Sequence, residues 1–170
     1  MTGSRAPRLS VATILNPRSV AVVGASEDLR KFGSRVLKNT IHGGFAGRII
    51  PVNPRREHVF GLPAVASVDR LANPVDVAVI AVPRTAVRDT ITQCAAIGVG
   101  CCVIITAGFS EIDAAGADLQ EELVQIARRA GMRLIGPNCL GLLNTHARLL
   151  LNSSPAMMVT PFYTGAIAHL

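Results

Sequence analysis

A chain of 170 residues, 49% of them hydrophobic, is sized for one domain with a substantial core, and its composition excludes global disorder. Five Phe, one Tyr and no Trp leave too few aromatics for a stacking platform for single-stranded nucleic acid, so Ala, Val, Ile and Leu must build the core. The net charge of +6 is uneven: residues 1–60 carry ten Lys/Arg against three Asp/Glu, and residues 61–170 carry seven against eight.

Residues 1–8 read as a disordered tail. Leu9–Leu15 suits a short helix stopped by Asn16-Pro17. Strand and helix patterns then alternate. Ser19–Val23 is a short apolar run ending at Gly24, the signature of a buried strand. Phe32, Val36, Leu37 and Ile41 form a helical stripe that stops at His42-Gly43-Gly44. Arg48–Val52 is a second strand in which Pro51 sits awkwardly for a central position. Residues 54–75 form a Pro- and Gly-punctuated connection with a short helix near Val68–Leu71. Val75–Val82 is a strong strand stopped by Pro83, and Thr85–Ile97 a helix ending at Gly98. Cys101–Thr106 is a strand stopped by Ala107-Gly108. Ala114–Ala130 places Leu119, Leu123, Ile126, Ala127 and Ala130 on one helical face, with Gly131 as the stop. Arg133–Ile135 is a fifth short strand. Residues 137–164 read as mostly irregular, and Gly165–Leu170 as the start of another strand, in which His169 is a packing residue.

Five strands separated by helices imply right-handed β-α-β units: a Rossmann-like, doubly wound parallel α/β sheet with helices on both faces. The domain is expected over residues 9–148, with 149–170 as a linker and the start of a truncated following domain. An apolar last strand without a partner leaves an edge open to homo-oligomer formation. The four cysteines (Cys94, Cys101, Cys102, Cys139) form no C-x-x-C pair, so buried reduced thiols are expected rather than disulfides or a metal site. With no apolar leader in residues 1–10 and no run of membrane-spanning length, the expectation is a cytoplasmic protein.

In an open parallel sheet ligands bind beyond the C-terminal ends of the strands. The first such loop, Gly24-Ala25-Ser26, leads into a helix near Gly33. That arrangement offers backbone N–H groups, the Ser26 hydroxyl and the Lys31 charge to a phosphate. It is neither a G-x-G-x-x-G loop nor a Walker A loop, which argues against NAD and ATP. The second loop, Asn53-Pro54-Arg55-Arg56, has arginines where NAD enzymes place an acid. Guanidinium groups there favour an extra ribose phosphate, which leaves coenzyme A and NADP. Val82-Pro83-Arg84 ends the third strand and can present backbone to an adenine or a pantetheine arm. No loop carries a catalytic pairing, so no catalytic or metal residue is assigned.

The set Gly24-Ala25-Ser26 with Lys31-Phe32-Gly33, then Val52-Asn53-Pro54, Val82-Pro83, Ala107-Gly108-Phe109-Ser110-Glu111 and Gly136-Pro137-Asn138-Cys139-Leu140-Gly141, resembles the CoA-binding domain of NDP-forming acyl-CoA synthetases. That family includes ADP-forming acetyl-CoA synthetase and, more distantly, the succinyl-CoA synthetase α subunit. The resemblance runs from about Leu9 to the last residue and implies CoA as the ligand. It implies that the loop from Ser26 to Gly33 lines the diphosphate and that Arg55 stands near the phosphates of the nucleotide. Val82, Pro83 and Arg84 would touch adenosine or pantetheine. Asn138 and Cys139 would lie near the thioester end, through backbone more than through the thiol. In the family a phosphohistidine in a following domain and an ATP-grasp domain carry the phosphoryl chemistry, and His42, His58, His146 and His169 match neither. The resemblance therefore implies the cofactor-holding part of an acid–CoA ligase, with succinyl-CoA-synthetase-like and ATP-grasp domains or subunits as partners. An NADP-dependent oxidoreductase domain and a CoA-sensing regulatory module are the alternatives.

Overall fold

The computed structural model describes residues 9–158. In chain order the elements are α1 (Val11–Leu15), β1 (Ser19–Val23), α2 (Phe32–His42), β2 (Arg48–Val52), β3 (His58–Val59), β4 (Leu62–Pro63), β5 (Val77–Ile80), α3 (Arg84–Ile97), β6 (Cys101–Ile104), α4 (Ala114–Ala130), β7 (Arg133–Ile135), β8 (Gly141–Asn144) and β9 (Leu149–Asn152). Single 3-10 turns cover Val68–Arg70 and Pro155–Met158.

Five strands form one parallel sheet in the order β2-β1-β5-β6-β7. Every residue of β1, β5 and β6 is buried, as strands covered on both faces must be. Alternation divides their side chains between two cores. Val20, Val22, Val77, Val79, Cys101 and Val103 meet Val36 and Leu37 of α2. Ala21, Ala78, Ile80, Cys102 and Ile104 meet α3 through Val87 and Ile91, and α4 through Leu123 and Ala127. The expected Rossmann-like architecture is therefore the observed one. The chain leaves β1 in one direction to reach β2 and in the other to reach β6 and β7, so the strand order reverses between β1 and β5.

Pro51 is accommodated because β2 is an edge strand. Its carbonyl accepts from Val65 N on the outer side (3.1 Å), and the N and O of one strand residue point the same way. The missing N–H therefore faces outward, away from β1. At the opposite end of the strands, Asp76 Oδ2 accepts from Arg18 N (2.7 Å) and Ser19 N (3.2 Å), tying the entry of β1 to β5. Left-handed glycines stop α3 and α4, at Gly98 (φ 82°) and Gly131 (φ 70°), as the sequence suggests.

Several boundaries shift. The strand expected over 75–82 is regular only over Val77–Ile80, the one expected over 101–106 only over Cys101–Ile104, and α1 begins at Val11 behind Ser10 as its cap. The 54–75 connection holds the small antiparallel hairpin β3–β4. The main correction concerns residues 137–164, read above as mostly irregular. Gly141–Asn144 pairs antiparallel with Leu149–Asn152, and Leu149, Leu150 and Leu151 are fully buried. A domain limit at 148 would cut this hairpin, whose second strand packs on α2. The tail at 1–8, the strand at 165–170 and His169 lie outside the described residues. Among the described residues no helix is long and apolar enough to cross a membrane.

Candidate anion-binding site at the strand ends

Strand order lays the C-terminal loops out in a row. The 53–56 loop comes first, then 24–26, 82–84, 106–111 and 136–141. The reversal point falls between Gly24 and Ala81, where a doubly wound sheet opens a crevice.

Two glycines make that crevice tight. Gly24 has φ +89°, and a Cβ there would lie 2.3 Å from Ala81 O. Gly33, in the first turn of α2, would put a Cβ 2.6 Å from Gly24 O and 3.2 Å from Ala81 Cβ. Only hydrogen at both positions lets the start of α2 close onto the ends of β1 and β5. The cap of α2 is Lys31, which supplies no side-chain hydrogen bond, and the first turn holds no acid. By contrast Ser10 caps α1, and Asp113 caps α4 through Gly116 N at 2.6 Å. The first N–H groups of α2 have no partner within their own helix. They sit beside the Ser26 and Ser34 hydroxyls, which bond each other at 2.7 Å. This is the geometry of an anion site.

Asn53 joins the second loop to the first. Its Nδ2 donates to Ala25 O (2.6 Å), and its Oδ1 accepts from Arg55 N (2.8 Å). Both ends of the Asn53 amide are thus engaged within the protein. Pro54, Arg55 and Arg56 are exposed, and among the described residues neither arginine is in an ion pair. Lys31 and Phe32 are exposed as well, Phe32 by 54%. Ala25 is fully buried and acts through its backbone.

In the third loop Val82 lies against Gly24 and accepts from Thr106 Oγ1 at 2.7 Å, Pro83 caps α3, and Arg84 lies over Gly108, with Asp113 3.8 Å away. In the fourth, the Glu111 carboxylate accepts from Gly108 N (2.7 Å) and Phe109 N (3.0 Å). These bonds, that from Gly108 foremost, hold its carboxyl below the usual range. In the fifth, Asn138 takes φ +53° and its N–H donates to Thr106 O at 3.1 Å. The half-buried Cys139 thiol donates to Ile104 O at 3.4 Å, and desolvation pushes its pKa up, which disfavours the reactive thiolate.

The structure thus gathers Gly24, Ala25, Ser26, Gly33, Asn53 and Val82 around one crevice, with Lys31, Phe32, Arg55 and Arg84 on its rim. Asn138 and Cys139 lie three strand positions from β1, at the end of β7. Ser34, Arg35 and Glu27 were missed. Glu27 accepts from Phe60 N at 3.1 Å and docks the β3–β4 hairpin beside the first loop. Ser34 and Arg35 lie within the helical stripe, where only apolar periodicity was read.

Comparison with known proteins completes the picture. A family model described as "CoA binding domain" matches residues 18–145. The acetate–CoA ligase [ADP-forming] II subunit alpha of Pyrococcus furiosus is 48% identical over 134 residues, 79% of this chain and 29% of that protein. Trans-feruloyl-CoA synthase FCS1, from an unknown prokaryotic organism, is 43% identical over 148 residues, 87% of this chain and 21% of that protein. The dinucleotide-forming acetyl-coenzyme A synthetase 1 of Ca. Korarchaeum cryptofilum, solved with phosphate and ADP, superposes with a TM-score of 0.82 at 41% identity, covering 86% of this chain and 31% of that one. The chain spans less than a third of the length of each.

Proposed function

From the premise that the chain belongs to the CoA-binding domain family, on the branch shared with ADP-forming acyl-CoA synthetases, we propose that the crevice between β1 and β5 holds CoA. The observation that carries this reading is the uncapped N-terminus of α2, closed onto the strand ends by Gly24 and Gly33. There the diphosphate takes the helix N–H groups and the Ser26 hydroxyl, with Lys31 beside it. Arg55, and Arg56 next to it, take the 3′-phosphate at the β2 end. Val82, Pro83 and Arg84 line the middle, and Phe32 offers an apolar face to the ligand.

The thiol end runs toward Asn138 and Cys139. The distance from β2 to β7 is four strand spacings, roughly 19 Å, which suits an elongated ligand with a phosphate at one end and a thiol at the other. Cys139 contributes packing and backbone rather than nucleophilic chemistry.

In the whole protein this unit supplies CoA to an acid–CoA ligase of the ADP-forming kind, with the phosphoryl chemistry carried by further domains or subunits, in the cytoplasm. Two relatives named above, an acetate–CoA ligase subunit and a trans-feruloyl-CoA synthase, carry different acyl groups in their names and yet match the same unit. The acid is therefore selected elsewhere, and the unit alone binds CoA without turning it over.

Calorimetric titration with CoA, dephospho-CoA, NADP and NAD tests this. CoA must bind, and bind better than dephospho-CoA. An Arg55→Ala, Arg56→Ala variant should lose about tenfold in CoA affinity, the scale of one or two partly screened charge-assisted contacts, and lose the preference. Tight NADP binding without CoA binding would move the chain to the oxidoreductase reading.

A further inference from the structure

Arg35 lies one turn into α2, behind the loop that faces the crevice, and its guanidinium is committed to main-chain carbonyls. Nη1 donates to Leu29 O and Arg30 O, both at 3.1 Å, and Nε donates to Ser153 O at 2.8 Å. The group also lies over the Phe32 ring, 4.7 Å from its centroid. Among the described residues no carboxylate pairs with it; Asp28 pairs with Arg30 instead. One planar fork thus grips the anion loop at two consecutive peptide groups and anchors it to the segment leaving β9.

We propose that Arg35 is the positioning residue of this loop: it holds residues 26–31 in their binding geometry before the ligand arrives. The proposal rests on the reading of this loop as the CoA diphosphate site. A loop left to order itself on binding would charge that ordering against affinity, and a clamp in the free protein removes the cost. The clamp needs the fork, because three acceptors in different directions exceed what one flexible ammonium can hold in register. It is also separable from general adhesion of α2 to the hairpin. That adhesion runs through other side chains: Asn39 Nδ2 donates to Asn152 O (2.6 Å) and Ser154 O (3.0 Å), and Thr40 Oγ1 donates to Leu150 O (3.2 Å).

The experiment measures CoA affinity by calorimetry, thermal stability, and amide hydrogen exchange at residues 26–31 without ligand. Arg35→Lys and Arg35→Ala should both weaken CoA by about tenfold and both speed exchange in the loop. Asn39→Ala, or the milder Thr40→Val, should lower Tm but leave CoA affinity within about twofold. Wild-type affinity in Arg35→Lys would mean that charge alone matters and would overturn the proposal. So would an affinity loss in Asn39→Ala and Thr40→Val equal to that of Arg35→Ala. If the wild-type chain bound no CoA, the reading of the site would fail. The clamp would still be decided by exchange in the free chain, and unchanged rates at 26–31 in both Arg35 variants would sink it.

Discussion

At the scale of single residues, a glycine matters here where a Cβ has no room. Gly24→Ala would place a methyl 2.3 Å from a backbone oxygen at φ +89°, combining overpacking with left-handed strain. The expected cost is about 3 kcal/mol, read as a fall in denaturation midpoint, with CoA binding lost. Gly33→Ala gains about 1 kcal/mol of helix propensity yet pushes α2 off Gly24 O, so a net loss in both stability and CoA affinity is expected. A more stable Gly33→Ala variant would show that the close approach is not required. Asn53 shows how residue chemistry can be legible while its use is not. The sequence marks it as a polar residue of a strand-end loop, and the fold adds a use the sequence does not announce: its amide joins two loops by donating to Ala25 O and accepting from Arg55 N. Cys139 stands in the expected loop, but its thiol is turned to Ile104 O and desolvated. Alkylation at neutral pH should be slower than for a free model thiol and should rise only in alkali, and Cys139→Ser should keep CoA binding.

At the scale of elements, the parallel strands were legible because each is a bounded apolar run, and α4 because its apolar stripe and its Gly131 stop agree. The hairpin β8–β9 was not, although two leucine-rich runs separated by four residues are a hairpin signal. Its turn is built by Asn144, whose Oδ1 accepts from His146 N (3.1 Å) and Ala147 N (3.3 Å), and the surrounding Asn, Ser and Thr disguised it as loop. Its weight in the fold follows from burial. Leu151→Ala should cost about 2–5 kcal/mol in urea unfolding, whereas Leu143→Ala, at a position 45% exposed, should cost well under 1. Equal effects would mean that the hairpin is an appendage rather than part of the core. Asp113→Ala should cost about 1 kcal/mol in the same unfolding measurement, because it removes the cap on Gly116 N.

At the scale of the whole molecule, net charge is a poorer guide than its placement. Residues 1–60 are strongly basic, and the sequence alone invites the inference that this charge faces the ligand. The fold sorts it differently. Arg18 and Arg48 stand at the N-terminal ends of β1 and β2, on the edge of the sheet away from the crevice. Arg30 is paired with Asp28, whose carboxyl that bond holds at about 2, Arg35 is committed to carbonyls, and Lys38 lies over the Phe60 ring at 5.1 Å. Of the described cations in residues 1–60, Lys31, Arg55 and Arg56 remain at the strand ends, where Arg84 from the second half joins them. A polyanion with phosphates at two positions should feel these far more than the rest, since exposed charges beyond about 10 Å are screened at 0.1 M salt. CoA affinity should therefore fall as salt rises from 0.05 to 0.5 M. The Arg55→Ala, Arg56→Ala variant should lose most of that dependence, while an Arg18→Ala, Arg48→Ala variant, with the same net charge, should retain it. Equal salt slopes in the two variants would mean that binding responds to total charge, and the assignment of the 3′-phosphate to the end of β2 would fall with it.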